Sequence, residues 1–268
     1  MTADGYGTTR RCDRGGIARL TLDRAGRRNG LSMDVVGALT GHLARIAEDP
    51  SVRAVVLTGA HGDFSVGADL ASPMESRAVR YEDPEEDAAR LVQAAQAVRM
   101  LYELAKPTVA MVRGACAGGA LSLAMACDLR YTADTAVFNT AFLSIALPGD
   151  YGLTWVLNRV VGPARAKELM LLPGRMAADQ AEHAGLVNGV HPEAELESRV
   201  EEVARRLADS SPAAVTALKR NLTDATTASL EEFLPVEAAR LVGCAHSADA
   251  AEARAAFLEK RPPRFTGR

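Results

Sequence analysis

The sequence predicts an α/β fold, on two observations. Up to about residue 193, short apolar runs of β type alternate with longer stretches of helical periodicity, and glycine-containing turns separate them. From about Ala194 the alternation gives way to consecutive helices.

In chain order, Ile17 to Leu22 (IARLTL) alternates as a strand does, and Met33 to Ala47 has the apolar spacing of an amphipathic helix, with Ser32 placed to cap it. Ala54 to Leu57 reads as a buried strand. Asp83 to Asp87 (DPEED) suits the solvated start of a helix, because acidic groups favour the positive helix end, and Ala88 to Leu104 continues it. Thr108 to Val112 is a strand after Pro107, Ala120 to Cys127 a helix opened by glycines, and Leu129 to Thr132 a strand. The division is therefore a core over residues 1–193 and a helical region over residues 194–268. That region breaks near Ser211-Pro212, Asp224 to Ala228 and Gly243 to Ser247. Its stretch Ala248 to Phe257 has an apolar face suited to another helix or another subunit.

Composition removes several function classes. The 268 residues are 48% hydrophobic, and 31 basic against 34 acidic residues leave a net charge of −3, so no long-range field draws a polyanion. Aromatic residues make up 4%, too few for a stacking platform for single strands. Nucleic acid is excluded as a partner on both counts. No stretch approaches the roughly 18 apolar residues of a membrane span, and the first twenty residues lack a continuous apolar targeting segment, so a cytoplasmic protein without membrane contact is expected. Cys12, Cys116, Cys127 and Cys244 have no paired spacing and are expected as reduced packing thiols; the five histidines form no HExxH or close pair, so no metal site is expected.

Two segments combine glycine, small residues and a turn after a buried strand: Gly59 to Leu70 (GAHGDFSVGADL) and Gly114 to Asp128 (GACAGGALSLAMACD). Such turns can aim N–H groups into a cleft, and Gly118-Gly119 stand at the positive end of the helix that follows. They can equally be ordinary strand-to-helix turns. Neither holds GxGxxG, no GxxxxGK[ST] occurs, and Ser65 in GDFSVG lacks the GxSxG elbow of a serine nucleophile.

Together the two segments resemble the oxyanion loops of the crotonase superfamily, the enoyl-CoA hydratase/isomerase family: FSVGADL the first and KPTVAMVRGACAGGALSLAMACDLR the second. LTLDRAGRRNGLSMDVV, FNTAFLSIALPGDYGLTWVLNRVVG, AADQAEHAGLVNGV and AFLEKRPPRFTG extend the resemblance over nearly the whole chain, in the family's order.

The resemblance implies a crotonase-like spiral of ββα units, C-terminal helices that build homotrimers or homohexamers, and an acyl-CoA thioester as ligand, with no cofactor beyond the coenzyme A of the substrate. By position, the backbone N–H groups of Val66 and Gly119 match the pair that holds the thioester oxygen, and the rest of the turn, Gly67, Ala68, Asp69 and Leu70, is expected at the ligand. Asp69 is either a structural cap or a ligand contact. Phe257 and Lys260 match tail positions that reach the CoA nucleotide, or are packing and surface charge.

Departures from the family pattern bear on the reaction. Hydratases of the family carry two glutamates where this chain has Ser122 and Phe142, and neither residue is a general base at neutral pH. Asp150, in LPGDYGLTW, stands where several isomerases and the aryl-CoA dehalogenase branch carry an aspartate. Apolar neighbours would raise its pKa and make it a better base; as an alternative it caps the helix beginning near Gly152. Tyr151 either positions the substrate or walls the pocket. The sequence thus favours enoyl-CoA isomerisation through an enolate. Hydratase or lyase chemistry with Ser122 and Asp150, direct attack by Asp150 as in the dehalogenases, and a catalytically silent acyl-CoA binder stand as alternatives. Phe64, Phe138, Phe142, Tyr151 and Trp155 fall in or beside the expected pocket, and the stretch Ser72 to Asp87 with Tyr81 is expected as a loop near it.

Overall fold

The computed structural model describes residues 8–70 and 72–268, so the reading of the first twenty residues as free of a targeting segment falls partly outside the described ones. Strands β1 (Thr8–Arg14) and β2 (Ile17–Asp23) form an antiparallel hairpin across Gly15-Gly16, both at positive φ. Helix α1 (Met33–Glu48) follows, its N-cap Ser32 accepting from Val35 N–H at 3.4 Å. Next come β3 (Ala54–Gly59), α2 (Pro84–Glu103), β4 (Thr108–Val112), β5 (Ala115–Ala117) and α3 (Gly119–Ala126). After β6 (Leu129–Ala133) and β7 (Val137–Asn139) the chain runs through α4 (Leu153–Leu171), β8 (Met176–Ala177), α5 (Ala178–His183) and β9 (Gly189–His191). Four helices close it: α6 (Glu193–Ala208), α7 (Pro212–Asp224), α8 (Leu230–Ala245) and α9 (Ala248–Glu259).

Among the described residues the main sheet has the order β1-β2-β3-β4-β6-β9 and is parallel from β2 onward; β5, β7 and β8 pair as a small second sheet. The central strands are apolar on both faces because both are covered, as parallel strands require. Leu20, Leu57 and Ala110 face Leu39, Leu101 and Leu123 of α1, α2 and α3. Val56, Val109 and Met111 on the opposite face pack against Leu196, Val200 and Ala204 of α6. The first helix of the helical region is thus part of the core's own packing. The acidic start of α2 is only partly solvated: Asp83 caps it, but Asp87 is buried and accepts from the N–H groups of Arg80 and Tyr81, each at 2.9 Å.

α7 and α8 bury no residue, and Leu218, Leu222, Leu234 and Leu241 on them are exposed. No described helix is long and apolar enough to cross a membrane. Cys116 and Cys127 are buried, and burial pushes both thiols up, away from reactive thiolates. The chain leaves β3 at Gly59 and β4 at Val112, at neighbouring C-terminal strand ends. These two exits form the two glycine-containing turns.

Candidate active site

The two turns are zipped together before any ligand is considered. Ser65 bridges Cys116 in parallel, its N–H donating to Ala115 O at 2.9 Å and its carbonyl accepting from Ala117 N–H at 3.1 Å. On the other side, Leu31 N–H donates to Gly67 O at 2.7 Å and Asp69 N–H to Leu31 O at 3.1 Å. Asp63 joins the turns a second time, its carboxylate accepting from Ala115 N–H at 2.7 Å and from Arg28 Nε at 2.7 Å. Asn29 is buried, and its amide nitrogen donates to the carbonyls of Ala60 and Asp63.

This bracing corrects the expectation for Val66. Val66 N–H donates to Arg28 O at 3.2 Å, so that amide is already used inside the fold. Gly67 has φ +84°, and a Cβ on it would lie 2.6 Å from Ala117 O, so only glycine fits there. That left-handed residue turns the chain. In the parallel bridge between Leu31 and Ala68 the ladder bonds are made by the residues flanking Ala68, so Ala68's own N–H faces away from Leu31. Among the described residues no acceptor meets it. The available amide on this turn is Ala68's.

Gly119 holds the second free amide. It opens α3, its N–H finds no acceptor among the described residues, and the helix end adds positive potential there. A Cβ on Gly119 would lie 3.1 Å from Cδ2 of Tyr151, so that ring rests directly against the glycine. Phe142, buried in the short 3₁₀ turn Phe142–Ile145, puts its ring tip 3.8 Å from where a Cβ on Gly118 would stand. It walls the same place and carries no titratable group.

Asp150 sits beside this arrangement on a loop of unusual backbone: Gly149 has φ +127°, Tyr151 φ +50° and Gly152 φ +66°. The capping alternative is removed. Gly152 occupies the N-cap of α4 with no side-chain cap, and the Asp150 carboxylate accepts no hydrogen bond from the described residues. Its Oδ1 is buried without a partner, and burial pushes the carboxyl up to about 6. Ser122 does not face the ligand space. It is fully buried, and its hydroxyl donates to the carbonyl oxygen of Tyr151.

Asp69 is turned inward, in a buried ion pair with Arg24 (Nη1 to Oδ2 2.8 Å), and also accepts from the Ser72 hydroxyl at 2.6 Å. Of the two readings left open, the structure gives Asp69 the structural one. Leu70, 61% exposed, and Tyr81 lie at the surface beyond the first turn. Phe257, 82% exposed on α9, and Lys260 just after it have no hydrogen bond or ion pair to either turn, so the structure does not bring them to the site within one chain. Among the described residues no group of three or more His, Cys, Asp or Glu could hold a metal ion.

The site as built is two free amides, Ala68 and Gly119, an aromatic wall of Tyr151 and Phe142, and one half-buried carboxylate, Asp150, whose enclosed Oδ1 has no partner. Sequence reasoning placed Ala68 at the ligand but gave the donor to Val66; the left-handed Gly67 beside it was the available signal. That reasoning missed the bracing by Arg24, Arg28 and Asn29 in the RAGRRN run, whose bracing partners are far off in sequence.

The family profile described as Enoyl-CoA hydratase/isomerase matches residues 13–268. The chain is 35% identical over 257 residues to 1,2-epoxyphenylacetyl-CoA isomerase of Escherichia coli, covering 94% of this chain and 96% of that protein. It is 32% identical over 245 residues to 4-chlorobenzoyl coenzyme A dehalogenase-2 of an Arthrobacter species, covering 91% and 88%. The crystal structure of an enoyl-CoA hydratase from Bacillus anthracis superposes with a TM-score of 0.91 at 30% identity, covering 97% of this chain and all of that one.

Proposed function

The chain belongs to the enoyl-CoA hydratase/isomerase family, shares its crotonase fold, and on that premise we propose that it is an isomerase of unsaturated acyl-CoA thioesters working through an enolate. The thioester oxygen accepts from the N–H groups of Ala68 and Gly119. Asp150 removes a proton from a carbon next to the double bond or carbonyl, the electron pair shifts onto the thioester oxygen, and the same carboxyl returns the proton to another carbon of the chain. Charge accumulates on the oxygen only as the proton leaves, so donors fixed in advance stabilise the transition state; losing one such donor typically costs about 2.7–4 kcal/mol.

The observation that carries this reading is the half-buried Asp150 carboxyl, whose enclosed Oδ1 has no partner and which burial pushes up to about 6, on the loop whose Tyr151 ring rests on Gly119. A base whose pKa lies near working pH is well matched to carbon deprotonation. The names of the relatives span isomerase, hydratase and dehalogenase, so they leave the reaction open. Against hydration stands Ser122, whose buried hydroxyl is committed to the Tyr151 carbonyl and does not orient a water. The reading needs no cofactor beyond the CoA of the substrate. It includes assembly into homotrimers or homohexamers, favoured by the exposed leucines of α7 and α8.

The test is deuterium exchange. Incubated with a 3-enoyl-CoA in deuterated water, the protein is expected to load deuterium next to the thioester, and Asp150→Asn to lose at least a hundredfold in rate. Tight CoA-ester binding without uptake would make the protein a binder. Uptake that survives Asp150→Asn would remove Asp150 as the base.

A further inference from the structure

We propose that the cavity beside Tyr151 receives the distal part of the acyl group and selects a ring-bearing acyl group over a straight chain of the same carbon number. This rests on the acyl-CoA reading above and names the substrate class within it.

The cavity, about 450 Å³, lies between α2, the start of α4 and the turn after α7. A volume of this order suits an organic group of the size of an acyl moiety. Tyr151 is common to the cavity and the two-amide site: it is among the residues lining the cavity, and its ring rests on Gly119. A thioester held at Ala68 and Gly119, with its reacting carbon at Asp150, therefore sends its remaining acyl atoms past Tyr151.

Three of the chain's few aromatic side chains, Tyr102, Tyr151 and Trp155, meet at this cavity. Tyr102 and Trp155 stand edge to face, centroids 4.9 Å apart at 80°, and the Arg159 guanidinium covers the Trp155 ring at 3.5 Å, so both rings are held before a ligand arrives. The charged groups around the cavity already have protein partners. Glu103 pairs with Arg99 at 3.5 Å, Asp224 with Arg240 at 2.7 Å, and Arg159 lies on Trp155 and donates to its carbonyl at 3.4 Å. No wall asks for a charged ligand. Fixed flat walls gain specific ring-to-ring contact with a ring, whereas a straight chain must freeze its torsions to lie against them.

The experiment measures affinity by calorimetry for 3-phenylpropionyl-CoA and nonanoyl-CoA, both of nine acyl carbons, with acetyl-CoA as reference. The aryl ester is expected to bind roughly two- to tenfold more tightly than the straight-chain ester. That advantage should vanish in Trp155→Leu and Tyr102→Leu while acetyl-CoA affinity is unchanged. Ala95→Phe, which fills the cavity from α2, should weaken the aryl ester and spare acetyl-CoA, and keeps the test should an aromatic variant fold poorly. Equal or tighter binding of nonanoyl-CoA, or an aryl advantage that survives the variants, would overturn the inference with the acyl-CoA reading intact. Failure of acetyl-CoA itself to bind would overturn that reading and this inference with it.

Discussion

The Ser122 hydroxyl donates to the Tyr151 carbonyl, and this one bond ties the first turn of α3 to the loop that carries Asp150. The Gly119 amide and the Asp150 loop are thereby fixed relative to each other from a single helix, since Gly119 stands three residues before Ser122. Tyr151 pays a conformational cost at φ +50°, a region that a bulky side chain rarely adopts. The hydrogen bond and the packing of its ring on Gly119 hold it there.

Ser122→Ala is expected to destabilise the fold by about 1–3 kcal/mol, because the Tyr151 carbonyl then loses its partner in a buried place. Urea denaturation reads this directly. Deuterium exchange should slow in the same variant, and its pH midpoint should move down toward the ordinary carboxyl range as the loosened loop lets water reach Asp150. Unchanged stability and an unmoved midpoint together would show that the bond holds nothing.

Asp150 makes rate and stability run in opposite directions with pH. Exchange needs the carboxylate, so its rate should climb through about pH 6 and level above it. The folded state holds this proton more tightly than the unfolded chain, whose carboxyl titrates near 3.8, so folding stability falls as pH rises from about 3.8 to about 6 and stays lower beyond. Asp150→Asn removes the cost of the buried charge. It should be more stable than the parent above pH 6, by about 3 kcal/mol for a shift of this order, and no more stable below pH 4. Denaturation midpoints at pH 4 and pH 8 check the sign.

The corrected donor gives a backbone test. Ala68→Pro deletes the free N–H without removing any hydrogen bond of the fold, and should lower the exchange rate by about a hundred- to a thousandfold. Val66→Ala leaves its amide on Arg28 O and should exchange at close to the parental rate. Circular dichroism and a melting curve establish that the proline variant is folded; parental exchange in it would return the oxyanion role to another donor.

What could be read from sequence follows how local each signal is. Ser32 caps α1 and Thr108–Val112 is a strand as expected, because capping and two-sided burial are written in adjacent residues. β1 went unread because TTRRCDR at the sheet edge has no apolar alternation; the Gly15-Gly16 turn was its only signal. β5, β7 and β8 are two or three residues long, too short for any period. At the site, residue types were legible and directions were not. Asp150 stood out by its apolar neighbours, but that nothing reaches its carboxylate is a property of the whole fold. Asp69 looked like a ligand contact or a cap until its partner, forty-five positions away, was in place.

That partner makes the last prediction. Arg24 and Asp69 are both buried; besides the carboxylate, the guanidinium donates to Gly30 O at 2.7 Å and to the Ser72 hydroxyl at 3.2 Å. Asp69 is the residue after Ala68, so the pair fixes the backbone that aims the free Ala68 amide. Asp69→Leu strands the Arg24 guanidinium away from water and should cost about 3–5 kcal/mol, whereas Arg24→Met should cost less, because Arg27 still faces Asp69 at 3.9 Å. Removing both leaves no stranded charge. The double variant should therefore be less destabilised than the two singles summed, by more than the roughly 0.5 kcal/mol within which independent sites add. It should nonetheless exchange deuterium slowly at saturating thioester, because the Ala68 turn has lost its anchor. Simple additivity of the three denaturation energies would mean that the two groups do not act as a pair, and parental exchange in the folded double variant would mean that the turn is aimed by the Leu31 bridge alone.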